Sequence, residues 1–162
     1  AHVQSTSTAE QRRDGLLDTI ENAGGRLAAL EYCEGSEDLS RERATAMVLA
    51  HPEIECMVGL NESSSLGITY AVQDLGREGE IAVIACDSSQ KQIEYMEQGI
   101  IQAFVVQNPF SMGYLSVQNT VKLLAGETVP PVVHTDSVVI RKQDLYKQET
   151  QKLIFPFSNE GS

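Results

Sequence analysis

The 162-residue sequence has no surplus of positive charge, and that removes one large class of partners at the outset. Lys and Arg number 12 against 23 Asp and Glu, a formal charge of −11 with a pI near 4.6. Nucleic-acid backbones and anionic membranes are held by basic patches, so neither is expected as a partner of this segment. Long apolar runs are also missing. The longest resembles "IAVIAC" at 81–86, and a membrane-spanning helix needs about 20 such residues. No positively charged stretch followed by an apolar run opens the chain, so no signal peptide is visible. There is no CxxC spacing. Cys33, Cys56 and Cys86 each lie within or close an apolar run and read as buried reduced thiols, with one disulfide plus a free thiol as the other reading. They do not fix the compartment. His2, His51 and His134 are far apart, with no zinc spacing around them. The phosphate loop GxxxxGK[ST], the dinucleotide loop GxGxxG and the GxSxG elbow are all absent. Asp87 follows a strand as a phospho-accepting aspartate would, but no acidic pair for magnesium appears near the start of the chain. No cofactor, no metal and no catalytic set are therefore expected. "NES" at 61–63 matches a glycosylation sequon, a pattern too short to carry weight.

What is present is an ordinary globular balance, with 41% hydrophobic and 22% charged residues. A chain of this size makes one domain and buries about two thirds of its unfolded surface. Strand-like and helix-like segments alternate along it. Thr8 is a candidate N-cap for the helix "AEQRRDGLLDTIENA", which Gly24-Gly25 stops. "RLAALEYC" (26–33) reads as a strand. "EGSEDLS" is a loop with cap candidates at Ser36 and Ser40, followed by the helix "RERATAMVLA", which ends before Pro52. "IECMVGL" (54–60) is a strand and 63–75 a helix. "IAVIAC" (81–86) is an apolar strand, "SQKQIEYMEQG" a helix, and "IIQAFVV" (100–106) a strand. A helix over 114–124 has Tyr114, Val117, Val121 and Leu124 on one face. "PPVVHTDSVVI" (130–140) is a last extended piece, and the remainder is polar apart from "LIFPF" at 153–157. Repeated units of this kind predict a mostly parallel sheet of about four or five strands in an α/β/α sandwich, Rossmann- or flavodoxin-like. No internal repeat or flexible linker is visible.

In open parallel sheets, ligands bind beyond the carboxyl ends of the strands. The residues at those ends are Asn61-Glu62, Asp87 and Gln107, all polar and all on one expected rim. Asn and Gln offer donor and acceptor together, and Asp offers two acceptors, which suits an array of hydroxyl groups. Asn and Asp after a strand also commonly cap the next helix or form a turn. Gln107 has no such structural reading, since Gln caps poorly and Pro109 follows closely.

"ECMVGLNESSSLGITYAVQDLG", "IAVIACDSSQKQIEYMEQGIIQAFVVQNPFSMGYLSVQNTVKLLAGE" and "VVIRKQD" resemble the C-terminal half of type I periplasmic binding proteins. These are sugar receptors of ABC transporters, similar in fold to the effector domains of lac-repressor-type regulators. The resemblance spans about 5–145 and rests on N-[DE] after one strand, D after the next, and GxxxAxxxQxPxxMG. It implies that Asn61, Asp87 and Gln107 hydrogen-bond a sugar or polyol, with Gln107 where the chain crosses between lobes. It divides the sequence into a ligand-binding lobe (1–107), a crossover and helix that would pack on an N-terminal lobe outside this sequence (108–128), a return strand (129–145) and a tail (146–162). "AHVQ" reads as the end of a strand whose beginning lies outside the sequence. The helix would expose its apolar face, or form a homodimer through it, if that lobe were missing. The implied partner is an ABC permease, reached through the two-lobed protein. The implied setting is extracytoplasmic, periplasmic or as a lipoprotein, and cytoplasmic for a regulator. An extracytoplasmic sugar sensor is a third possibility, and a single-domain enzyme a fourth. Two departures stand out. Glu10 replaces the arginine usual in a motif like SxxRxRxxG, with Arg12 and Gly15 kept in register. A carboxylate there would favour a cationic ligand group such as an amino sugar, accept from hydroxyls, or simply suit a helix N-terminus. The ring-stacking aromatic often found after 26–33 is also not evident.

Overall fold

The computed structural model describes residues 3–155. His2 and the last two residues of "LIFPF" therefore lie outside the described residues, as do the beginning of "AHVQ" and the end of the 146–162 tail. Every α-helix except the last described one is started by a side chain that takes up a free backbone N–H. α1 (Ser7–Asn22) is capped by Thr6 rather than Thr8, which falls inside the first turn. α2 (Glu37–Ala50) is capped by Ser36. The other cap candidate there, Ser40, is buried instead and donates its hydroxyl to the Ser64 carbonyl at 3.0 Å. α2 can lie this close to α3 (Glu62–Asp74) because Gly67 has no side chain. A Cβ at 67 would sit 2.4 Å from the Ser40 Cβ. α4 (Gln90–Glu97) starts at Ser89, and Gln92 closes a reciprocal cap back onto the Ser89 N–H.

The sheet holds β1 (Cys56–Val58), β2 (Ala82–Cys86), β3 (Ile101–Gln107) and β4 (Ser137–Arg141), side by side in that order. β1, β2 and β3 run parallel, and β4 closes the edge antiparallel to β3. The crossovers β1-α3-β2 and β2-α4-β3 step the same way along the parallel sheet, which by the usual crossover hand puts α3 and α4 on one face. In β2, Val83 and Ala85 are fully buried while the alternate residues are only half-buried, so the second face is the more thinly covered one. The core gathers around Phe104, Val83, Ile101, Met96 and Ile140. It reaches Leu145 and Ile154, beyond the return strand, through a 3₁₀ turn (Lys142–Asp144) and α6 (Gln148–Ile154).

Further expectations are corrected. Of the three cysteines read as buried thiols, Cys33 is buried, Cys86 half-buried and Cys56 exposed. Residues 26–33 pair with no strand. They run alongside β1, tied by Arg26 to Glu53 at one end and by the Arg13–Tyr32 hydroxyl bond at the other. A cavity of about 590 Å³ separates the two, lined by Leu27, Leu30, Ala44, Met57 and Ile68 among others. The segment 54–60 is paired only over Cys56–Val58. The helix expected from Tyr114 begins five residues earlier. α5 runs Pro109–Leu124, with Asn108 as its cap (Oδ1 accepting from Ser111 N at 2.9 Å) and Pro109 in the first turn, where its missing N–H costs nothing. None of its residues is buried.

Candidate functional site

The rim is built at the carboxyl ends of β1, β2 and β3. After β1, Gly59 lets the chain pass under α3. A Cβ there would lie 2.4 Å from the Ser65 Cα. Ser65 is fully buried and joins these ends, with its Oγ donating to the Asn61 carbonyl at 2.7 Å and accepting from Cys86 N at 3.2 Å. Asn61 is the N-cap of α3. Its Oδ1 accepts from the Ser64 N–H at 3.0 Å and the Ser64 hydroxyl at 2.6 Å. The capping reading of Asn61 is thus correct, and its amide nitrogen is left over.

Asp87 does not cap the helix that follows it, since Ser89 caps α4. It sits at φ 70°, a left-handed conformation that costs a non-glycine residue energy and occurs most readily in Asn and Asp. Its N–H continues the ladder to Val105 O, and its Oδ2 accepts from the Glu62 N–H at 3.0 Å, the free N-terminal end of α3. Asp87 Oδ1 faces Arg12 Nη2 at 3.9 Å. Next to it, burial raises the pKa of the Cys86 thiol, against the opposing pull of Arg12.

Gln107 ends β3 and is exposed. Its Oε1 accepts from Arg12 Nη2 at 2.9 Å, while Arg12 Nη1 donates to the Leu60 carbonyl at 2.6 Å. Arg12 therefore joins the ends of β1, β2 and β3, with a side chain only 21% exposed. The sequence shows Arg12 only as a position kept in register in the SxxRxRxxG motif, which assigns it no partner. Glu10 is not brought into this network. It is exposed in the first turn of α1, with no side-chain hydrogen bond or ion pair among the described residues, where the helix dipole favours it. The 590 Å³ cavity is lined by neither Asn61, Asp87, Gln107 nor Arg12 and is a separate space. No group of three or more acidic, His or Cys side chains that could hold a metal occurs among the described residues.

A family model described as a periplasmic binding protein domain matches residues 1–128, and the chain belongs to that family. The D-ribose/D-allose-binding protein of Pseudomonas aeruginosa is 30% identical over 137 residues, 85% of this chain and 42% of its own length. The D-allose-binding periplasmic protein of Escherichia coli is 22% identical, over 83% of this chain and 45% of its own. Among solved structures, GanP, a glucose-galactose binding protein from Geobacillus stearothermophilus, superimposes with a TM-score of 0.84 at 30% identity, covering 90% of this chain and 52% of that one. A carbohydrate transporter solute binding protein from Agrobacterium radiobacter in complex with D-arabinose gives 0.88 at 25%, covering 95% and 53%. The chain thus spans about half the length of the relatives it matches, one lobe of their type I fold.

Proposed function

We propose that this chain is one lobe of a receptor that binds a sugar or related polyol, without catalysis, for ABC-type import outside the cytoplasm. The observation that carries this reading is the convergence of Asn61, Asp87 and Gln107 on one rim around Arg12. The relatives named above as binding ribose, allose, glucose, galactose or arabinose support it. Asn61, Asp87 and Gln107 are the ligand's hydrogen-bond partners, and Asp87 is the strongest because bonds to a charged group are worth about 1.5–3 kcal/mol. α5 packs its apolar face on the second lobe, whose closure would exclude water from the ligand. The permease is reached through that two-lobed protein.

The test is a thermal-shift screen of the full-length protein against neutral sugars, amino sugars and polyols. A ligand at a hundred times its Kd stabilises the folded state by about 2.7 kcal/mol, a rise in Tm of several degrees. The rise is expected with neutral sugars and should be lost in Asp87→Asn, which keeps a residue tolerant of the left-handed backbone. No rise with any member of the panel would sink the receptor reading.

A further inference from the structure

We infer that Arg12 is a positioning residue that fixes the donor–acceptor polarity of the rim and thereby selects neutral hydroxylated ligands over aminated ones. The inference rests on the receptor reading above. A guanidinium has donors and no acceptor, so the group Gln107 turns toward Arg12 is its carbonyl oxygen, at 2.9 Å. The same logic holds at Asn61, where the Ser64 backbone N–H meets Oδ1. Both amide oxygens are therefore engaged by the protein. Both amide nitrogens, Asn61 Nδ2 and Gln107 Nε2, have no partner among the described residues. Asp87 spends Oδ2 on the Glu62 N–H and keeps Oδ1 without a hydrogen bond.

The rim consequently offers two NH₂ donors and one carboxylate acceptor. A hydroxyl satisfies both kinds, because its oxygen accepts from an amide while its hydrogen goes to Asp87. An ammonium group has only hydrogens to give. It can donate to Asp87, whose charge Arg12 already offsets at 3.9 Å, but it leaves the amides unanswered and meets the positive charge of Arg12. Glu10, which might have welcomed an ammonium, makes no contact with this network. Without Arg12, Gln107 can rotate its amide and present oxygen, and the repelling charge is gone.

The experiment measures affinity of the full-length protein by calorimetry for D-glucose against D-glucosamine and D-galactose against D-galactosamine. The wild type is expected to favour the neutral member at least tenfold, and Arg12→Met should narrow that ratio below threefold. Arg13→Met, on the same helix and bonded to the Tyr32 hydroxyl instead, should leave the ratio as it was. A purely structural role would weaken both members alike, and an unchanged ratio in Arg12→Met would overturn the inference. The Asp87→Asn variant separates this from failure of the receptor reading. If it binds neutral sugars as well as the wild type, the rim is not the site, whatever Arg12 does. A ligand-free measurement decides the contact itself. The Gln107 side-chain amide signals in a nitrogen-15 spectrum should move to those of a solvated glutamine in Arg12→Met and stay in place in Arg13→Met. Unmoved signals in Arg12→Met refute the positioning role even if none of the four sugars binds.

Discussion

Gly59 decides how closely α3 can approach the end of β1, and so where Asn61 stands. Its missing Cβ leaves room for the backbone of Ser65, which cannot step aside without moving the first turn of α3. Overpacking of this kind costs roughly 1–3 kcal/mol. Gly59→Ala should lower the midpoint of urea unfolding accordingly, with an unchanged slope, and should also weaken sugar binding. A midpoint within error of the wild type would mean that α3 can shift freely. At this scale the sequence was informative wherever a polar residue followed an apolar run. The pattern puts Asn61, Asp87 and Gln107 on one rim, because β1, β2 and β3 all end there. Arg12 carried no local sign of its role. Its partner Gln107 is 95 positions away, and only the folded sheet brings α1 over the strand ends. Glu10 shows the reverse case, a conspicuous residue whose setting is explained by the first turn of its own helix.

Among the elements, the segment 26–33 shows what periodicity cannot convey. Its composition favours a strand, but a strand exists only through a partner. Here β1 stands off across the cavity, and the Tyr32 carbonyl is taken by the Arg43 guanidinium instead. Main-chain amides at 27–30 should therefore exchange with solvent far sooner than those of Val83 and Ile84, which are paired on both sides. Equal protection of the two stretches would show that 26–33 is hydrogen-bonded in solution. α5 was legible except at its start. "NPFS" contains a capping Asn followed by Pro at the first helical position. The return strand expected over 129–145 is long at both ends, since pairing with β3 holds only Ser137–Arg141 and a 3₁₀ turn follows over Lys142–Asp144. Leu145 joined the core from a stretch whose average polarity concealed it, and Ile154 from the apolar run at 153–157.

At the scale of the whole molecule, two opposite surfaces coexist. Most of the exterior is acidic, summing to −11, whereas α5 carries a single charge, Lys122. Phe110, Tyr114, Val117, Val121 and Leu124 recur along it at spacings of four and three, and each is 59–84% exposed. Apolar contact acts only at touching distance. The repulsion between like-charged molecules reaches about 10 Å at 0.1 M salt and about 3 Å at 1 M. The isolated 162-residue chain is therefore a colloid held apart by its own counterion cloud. Light scattering should report single particles at low ionic strength and growing clusters as sodium chloride is raised, the reverse of assembly driven by ion pairs. Phe110→Ser with Val117→Ser should abolish that growth, and clusters unaffected by the substitutions would have to form through another surface. Ionic strength thus becomes a dial on the lifetime of the lone lobe, and dilute buffer, not physiological saline, is the medium in which it keeps longest.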